Sequence, residues 1–234
     1  MTDRIEMHKV HQMYAGALAP LGPKGVPSGI RKFPLSPPWV ITAVGLAGDE
    51  QGDRLHHGGP EKAIHQYPFD HYAAWIREDR SLKDKLARAP IFGENIGIGG
   101  MTEQNVHIGD VYRLGDALLQ VSQGRQPCWK LNLRLGSKNI AYNMQSSGRT
   151  GWYYRILEAG EAVPGDELRL VDRPNPDVPL SKLISLVFSR SINPAELARI
   201  LDIAELSHSW RKLLSRRLET MKIEDWSERL GSDE

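Results

Sequence analysis

The sequence contains one cysteine, Cys128, among 234 residues. One thiol cannot close an internal disulfide, which fits a reducing compartment. It also cannot supply an iron–sulfur cluster that needs several cysteines of the same chain. Long apolar runs are missing too. No stretch approaches the roughly 18 consecutive apolar residues of a membrane helix, and Met1-Thr2-Asp3-Arg4-Ile5-Glu6 contains no apolar signal-peptide core. Neither sign of charge dominates, with 30 Lys and Arg against 29 Asp and Glu, so there is no global pull toward nucleic acid or membrane. A full dinucleotide fingerprint is absent, as is a phosphate loop ending in Gly-Lys-Ser or Gly-Lys-Thr. What remains is a cytoplasmic protein without a membrane partner, long enough to bury a large core.

The pattern along the chain is mainly β with inserted helices. Gly and Pro punctuate the first forty residues, and short strands are expected from about Trp39 to Val171. The clearest are two apolar-biased runs, 110–114 and 117–122, joined by Gly115-Asp116 as a tight hairpin. Strands are also expected at 152–157 and 167–171, and inserted helices at 70–77 and 137–144. Many short strands with such insertions favour a barrel over a doubly wound sheet. Three prolines between Arg173 and Pro179 mark a linker. Beyond it the periodicity becomes helical. Asn193-Pro194-Ala195-Glu196 reads as a helix start, and Trp210, Leu213, Leu214, Leu218 and Met221 form an apolar stripe, with a basic stripe of Arg211, Lys212, Arg216 and Arg217 filling much of the remaining face. The division is therefore a β-barrel domain over residues 1–174 and a small three-helix domain over 180–230. Between Pro179 and Lys222 stand eight Lys and Arg against four Asp and Glu. Such a face is more often solvated, or matched to an acidic protein, than bound to nucleic acid.

Chemistry concentrates in three places. Cys128 follows the best strand and is bracketed by Arg125 and Lys130; nearby cations favour the thiolate, the form that binds metals. The bland alternative is a small core cysteine. The run from Gly48 to Ala63 holds Gly58 and Gly59, whose N–H groups suit phosphate oxygens. Lys62 adds charge, and His57 and nearby His65 add donors or general acids. A hydrolytic metal site from Asp49, Asp53, His57 and His65 is a weaker option, because its spacing matches no tight ligand motif. The third place is the glycine-rich loop around Phe92-Gly93-Glu94-Asn95.

Four pieces stand in a characteristic order: His57-Gly58-Gly59-Pro60-Glu61-Lys62-Ala63, Phe92-Gly93-Glu94-Asn95, Gly109-Asp110 and Arg125-Gln126-Pro127-Cys128-Trp129-Lys130. Together they resemble the MOSC family, the molybdenum-cofactor sulfurase C-terminal fold. The tail, with Leu206-Ser207-His208-Ser209-Trp210 and Lys222-Ile223-Glu224-Asp225-Trp226, resembles its YiiM-type branch, a MOSC β-barrel followed by a three-helix domain. The resemblance implies a molybdenum–molybdopterin cofactor with Cys128 as the protein's metal ligand. It places His57, Gly58, Gly59, Lys62, Asn95, Arg125 and Lys130 on cofactor-facing loops. It implies reduction of N-hydroxylated compounds, such as hydroxylaminopurine, to the amine and water, with His57 or His65 as proton donor. Electrons would come from a separate flavin or iron–sulfur reductase, for which the basic tail is a candidate docking face. A sulfur-carrier or cofactor-binding protein using Cys128 without turnover is the alternative.

Overall fold

The structure, a computed structural model, describes residues 6–52 and 58–231. Seven strands form the main sheet: β1 (Met7–Lys9), β2 (Ile64–Pro68), β3 (Ile96–Ile98), β4 (Val111–Leu114), β5 (Ala117–Gly124), β6 (Trp152–Glu158) and β7 (Glu167–Asp172). Their spatial order is β1-β7-β4-β5-β6-β2-β3, antiparallel throughout except for the β2–β3 pair. Met13 bridges to Ile96 on the edge strand β3, and a small sheet of 160–162, 39–42 and 45–46 packs alongside, so the barrel is nearly closed. The β4–β5 hairpin turns at Gly115-Asp116. Alternation sets which side chains enter the core. On β6, Trp152 and Tyr154 are fully buried, whereas Tyr153 points from the opposite face.

Seven helices accompany the strands among the described residues: α1 (Phe69–Glu78), α2 (Lys130–Leu135), α3 (Ile140–Ser147), α4 (Leu180–Phe188), α5 (Pro194–Leu201), α6 (His208–Thr220) and α7 (Ser227–Leu230). The expected start of α5 is present: Asn193 accepts a hydrogen bond from the Glu196 N–H at 3.2 Å, with Pro194 at the first position. Helix α2 directly behind Cys128 and helix α7 near the C-terminus were not foreseen, and neither was the strand at 160–162. Met221 does not extend the apolar stripe. It ends α6 in the left-handed conformation and is 53% exposed.

The helices after residue 180 share one apolar core with the barrel: Leu180, Leu183, Ile184, Trp210 and Leu214 join Tyr112, Leu119, Val121 and Trp152. Polar ties fix the docking. The Leu180 N–H donates to Val106 O at 2.8 Å and the Ser207 N–H to Ser122 O at 3.0 Å. Glu61 accepts from the N–H of His208, in the first turn of α6, and from Arg155.

The basic stripe read along α6 is divided by this packing. Arg211 donates to the carbonyls of Leu201 and Ile203, closing the end of α5. Arg217 is fully buried and donates to Leu186 O at 3.1 Å and Val187 O at 2.9 Å, closing α4, while pairing with Glu224. Cations at helix C-termini satisfy carbonyls that have no intrahelical donor. Lys212 and Arg216 remain exposed, so two of the four α6 cations are left to the expected docking face. No helix is long and apolar enough to cross a membrane among the described residues.

Candidate functional site

The loop from Arg125 to Trp129 leaves the end of β5 and enters α2. Its backbone is held where it starts: the Arg125 N–H donates to Gly151 O at 3.0 Å. Gly151 has φ near +69°, and a Cβ there would lie 2.3 Å from the Gln66 carbonyl oxygen, so a side chain would push the loop out. The buried Arg125 side chain donates to Phe92 O at 2.5 Å, tying the cysteine loop to the Phe92–Asn95 loop. Cys128 is 7% exposed and free of any disulfide, and it lies on the wall of a cleft of about 630 Å3, open mouth included.

The opposite wall comes from the Pro-rich N-terminal stretch. Lys32 donates to both carboxylate oxygens of Asp49, with their side chains only 7% and 5% exposed. Asp49 also accepts from the Gly16 N–H at 2.9 Å and from Asn95 Nδ2 at 2.9 Å. Burial pulls the Lys32 ammonium pKa below its ordinary value, against the opposing effect of Asp49. Asn95 has its side-chain amide fully engaged. Its oxygen accepts from the His65 N–H at 2.9 Å, and its nitrogen donates to Tyr14 O as well as to Asp49. Asn95 thus lines the cleft while pegging three separate segments of the chain together.

His65, on β2, is 4% exposed, and its Nε2 is buried without a hydrogen-bond partner. Burial holds its pKa well below the ordinary histidine value, and the nearby Arg125 and Lys32 cations act in the same direction. The imidazole is therefore neutral near pH 7. Its ring lies 5.0 Å from that of Tyr153, whose phenol burial pushes upward. Lys62 and Lys130 complete the cationic lining, and Lys130 Nζ donates to Pro27 O at 3.3 Å.

The structure brings Cys128, Arg125, Lys130, Lys62, Asn95 and His65 onto one cleft. His57 lies outside the described residues, as does Asp53. Gly58 and Gly59 do not line the cleft among the described residues. Two other motif pieces are structural. Asp110 is fully buried and accepts from Arg173 Nε and Nη2 at 2.8 Å each. Glu94 accepts from the Tyr72 hydroxyl, and burial raises its pKa. Sequence reasoning missed Lys32 and Tyr153. Tyr153 carried a signal, because it alternates with buried neighbours on β6. Lys32 carried none, since only the fold pairs it with Asp49.

With this geometry in place, the comparisons with known proteins agree on one family. A MOSC domain matches residues 53–169, and a YiiM-like, 3-alpha helix domain matches residues 178–220. The chain belongs to the MOSC family. Protein YiiM of Escherichia coli (strain K12) is 40% identical over 208 residues, covering 89% of this chain and 92% of that one. The crystal structure of YiiM from Escherichia coli superposes with a TM-score of 0.78 at 36% identity, covering 91% of this chain and 98% of that chain. A protein of Gibberella moniliformis named "Reductase" is 37% identical over 169 residues, which are 72% of this chain but 30% of that protein. The MOSC barrel thus carries the cysteine loop, and the YiiM-like helices buttress it from behind.

Proposed function

We propose that this MOSC protein is a molybdenum-cofactor-dependent reductase of N-hydroxylated compounds, hydroxylaminopurine among them, supplied with electrons by a separate flavin or iron–sulfur reductase. The observation that carries this reading is the donor set of the cleft. The chain's single thiol lines it together with Arg125, Lys32, Lys62 and Lys130. Among the described residues no three His, Cys, Asp or Glu side chains gather to hold a metal. A metal carried on an anionic dithiolene brings most of its own ligands and would take one soft sulfur from Cys128. The cations suit the phosphate of such a group. When bound, it supplies the two-electron chemistry that cleaves an N–O bond.

The chain's own residues would position and protect that chemistry. Cys128 anchors. Arg125, spent on Phe92 O, keeps the two loops at fixed separation while its charge faces the cleft wall. Neutral His65 lines the cleft, but its Nε2 is buried within the wall without a hydrogen-bond partner, so the ring shapes the wall rather than presenting that atom to a ligand. Because His65 is neutral, the protonated donor for the leaving oxygen falls to His57 in this reading, with His65 orienting. The fungal relative's name, "Reductase", accords with an oxidoreductase role.

The test is molybdenum content after anaerobic purification from a host that makes the cofactor, with Cys128→Ala alongside. Near-stoichiometric metal in the wild type and little in the variant is the expected result. A sulfur adduct on Cys128 without molybdenum would overturn the reading in favour of a sulfur carrier.

A further inference from the structure

The segment that follows α6 lies past both family matches, the later of which ends at residue 220, yet it returns to the cysteine loop. Four contacts converge there. The guanidinium of Arg229, on α7, donates through Nη1 to the carbonyl of Pro127, the residue before Cys128. Its Nη2 donates to Gln145 Oε1 at 2.5 Å, anchoring the same side chain to α3. The Trp129 N–H, one residue after Cys128, donates to Arg229 O at 2.8 Å. Asn132 Nδ2 donates to Leu230 O at 2.9 Å. Gly231 closes the turn at φ near +71°, and a Cβ there would lie 2.8 Å from Trp129 Cβ. Trp226 and Arg229 also rest on Phe188 of α4, fixing α7 to the helices packed on the barrel.

We propose that Arg229 and the α7 segment are a clamp on the Cys128 loop, with Arg229 as a positioning residue that sets where the sulfur stands. Both peptide groups next to the cysteine are engaged by this one residue: the Pro127 carbonyl by its side chain and the Trp129 N–H by its own carbonyl. Neither group has a partner in a regular element at that point, because β5 has ended and α2 has not begun. Without α7, two buried backbone groups beside Cys128 would lose their partners, and the loop would open to regain water. The clamp rests on the reading of Cys128 as the anchoring sulfur for its functional meaning, but its geometry does not.

Hydrogen exchange of residues 126–133 in the full-length protein at one fixed pH tests it. Arg229→Ala removes the side-chain half of the clamp. Gly231→Ala forces α7 away from Trp129 without deleting the Arg229 side chain. Leu218→Ala loosens the core elsewhere and serves as the control. Each clamp variant should speed exchange in 126–133 about tenfold or more beyond its effect on β5, and Arg229→Lys, which keeps a donor for Pro127, should recover most of the protection. Alkylation by iodoacetamide reports only Cys128, the single thiol, and should rise in Gly231→Ala. Unchanged exchange in both clamp variants, or an equal local effect from Leu218→Ala, overturns the proposal. Molybdenum missing from the wild type would defeat the cofactor reading alone. Unchanged exchange in a molybdenum-loaded protein would defeat the clamp alone.

Discussion

His65 decides whether the cleft stores a proton, and replacing it by Phe tests that through stability. The Nε2 atom has no hydrogen-bond partner, and the ring lies against Tyr153, so Phe keeps the aromatic shape and removes the titration. The folded-state pKa lies well below the ordinary value of 6.5, with burial the largest cause, then Arg125. Above pH 6.5 the imidazole is neutral in both folded and unfolded chains and contributes no pH dependence. As pH falls below 6.5 the unfolded chain takes up a proton that the folded chain refuses, so stability falls until the folded pKa is reached. At pH 5.5, one unit below the unfolded pKa, the penalty is at most about 1.4 kcal/mol, and at pH 7.5 it is close to zero. The assay is urea unfolding of wild type and His65→Phe at pH 7.5, 6.5 and 5.5. Other groups, including the similarly depressed His107, cancel in the difference between the two proteins. The variant should gain on the wild type between pH 7.5 and 5.5, by up to about 1.4 kcal/mol. A constant difference across that range, or one that moves the other way, would falsify the neutral-histidine argument and restore His65 as a proton donor.

Two further substitutions probe the charges that the fold buries. Asp49→Asn leaves the Lys32 ammonium without its carboxylate in a site that water barely reaches. It should cost about 3–5 kcal/mol, measured by denaturant unfolding, and Lys32→Met added to it should recover much of that loss. Arg217→Met removes the donor that closes α4 and strands Glu224. A loss of about 3–5 kcal/mol is expected, and a change within about 0.5 kcal/mol would refute the capping role assigned to Arg217.

The barrel was legible where local chemistry and fold agreed. Gly115-Asp116 names its own hairpin, and Asn193-Pro194 names its own helix start, because both signals act over a few residues. Cys128 with Arg125 and Lys130 was legible as a group because all three lie on one loop. The rest of the site was not, and the reason is separation along the chain. Lys32 meets Asp49 across 17 residues, and Asn95 reaches Asp49 across 46. Arg229 reaches Pro127 across 102. No periodicity encodes such pairs. The α6 stripe shows the converse error. Four cations on one helix read as a solvated face, yet the interior holds Arg217, and Arg211 is spent on α5, because two preceding helices end against α6 with open carbonyls.

The same distances bear on how the cleft is built. Residues that line the cleft spend their polar groups on distant segments of the chain: Asn95 on Tyr14, His65 and Asp49, and Arg125 on Phe92. Behind the cysteine wall, Arg229 does the same for Pro127 and Gln145. A residue held by two or three partners from distant segments has little freedom to adapt to a ligand, so the cleft is shaped before anything enters it. Preformed walls suit a large group that is held for many turnovers, because less ordering is then lost on binding. Substitutions at Asn95 should accordingly weaken retention of the bound group, read as molybdenum content after purification. If Asn95→Ala kept full retention, the pegs would not be what holds the group.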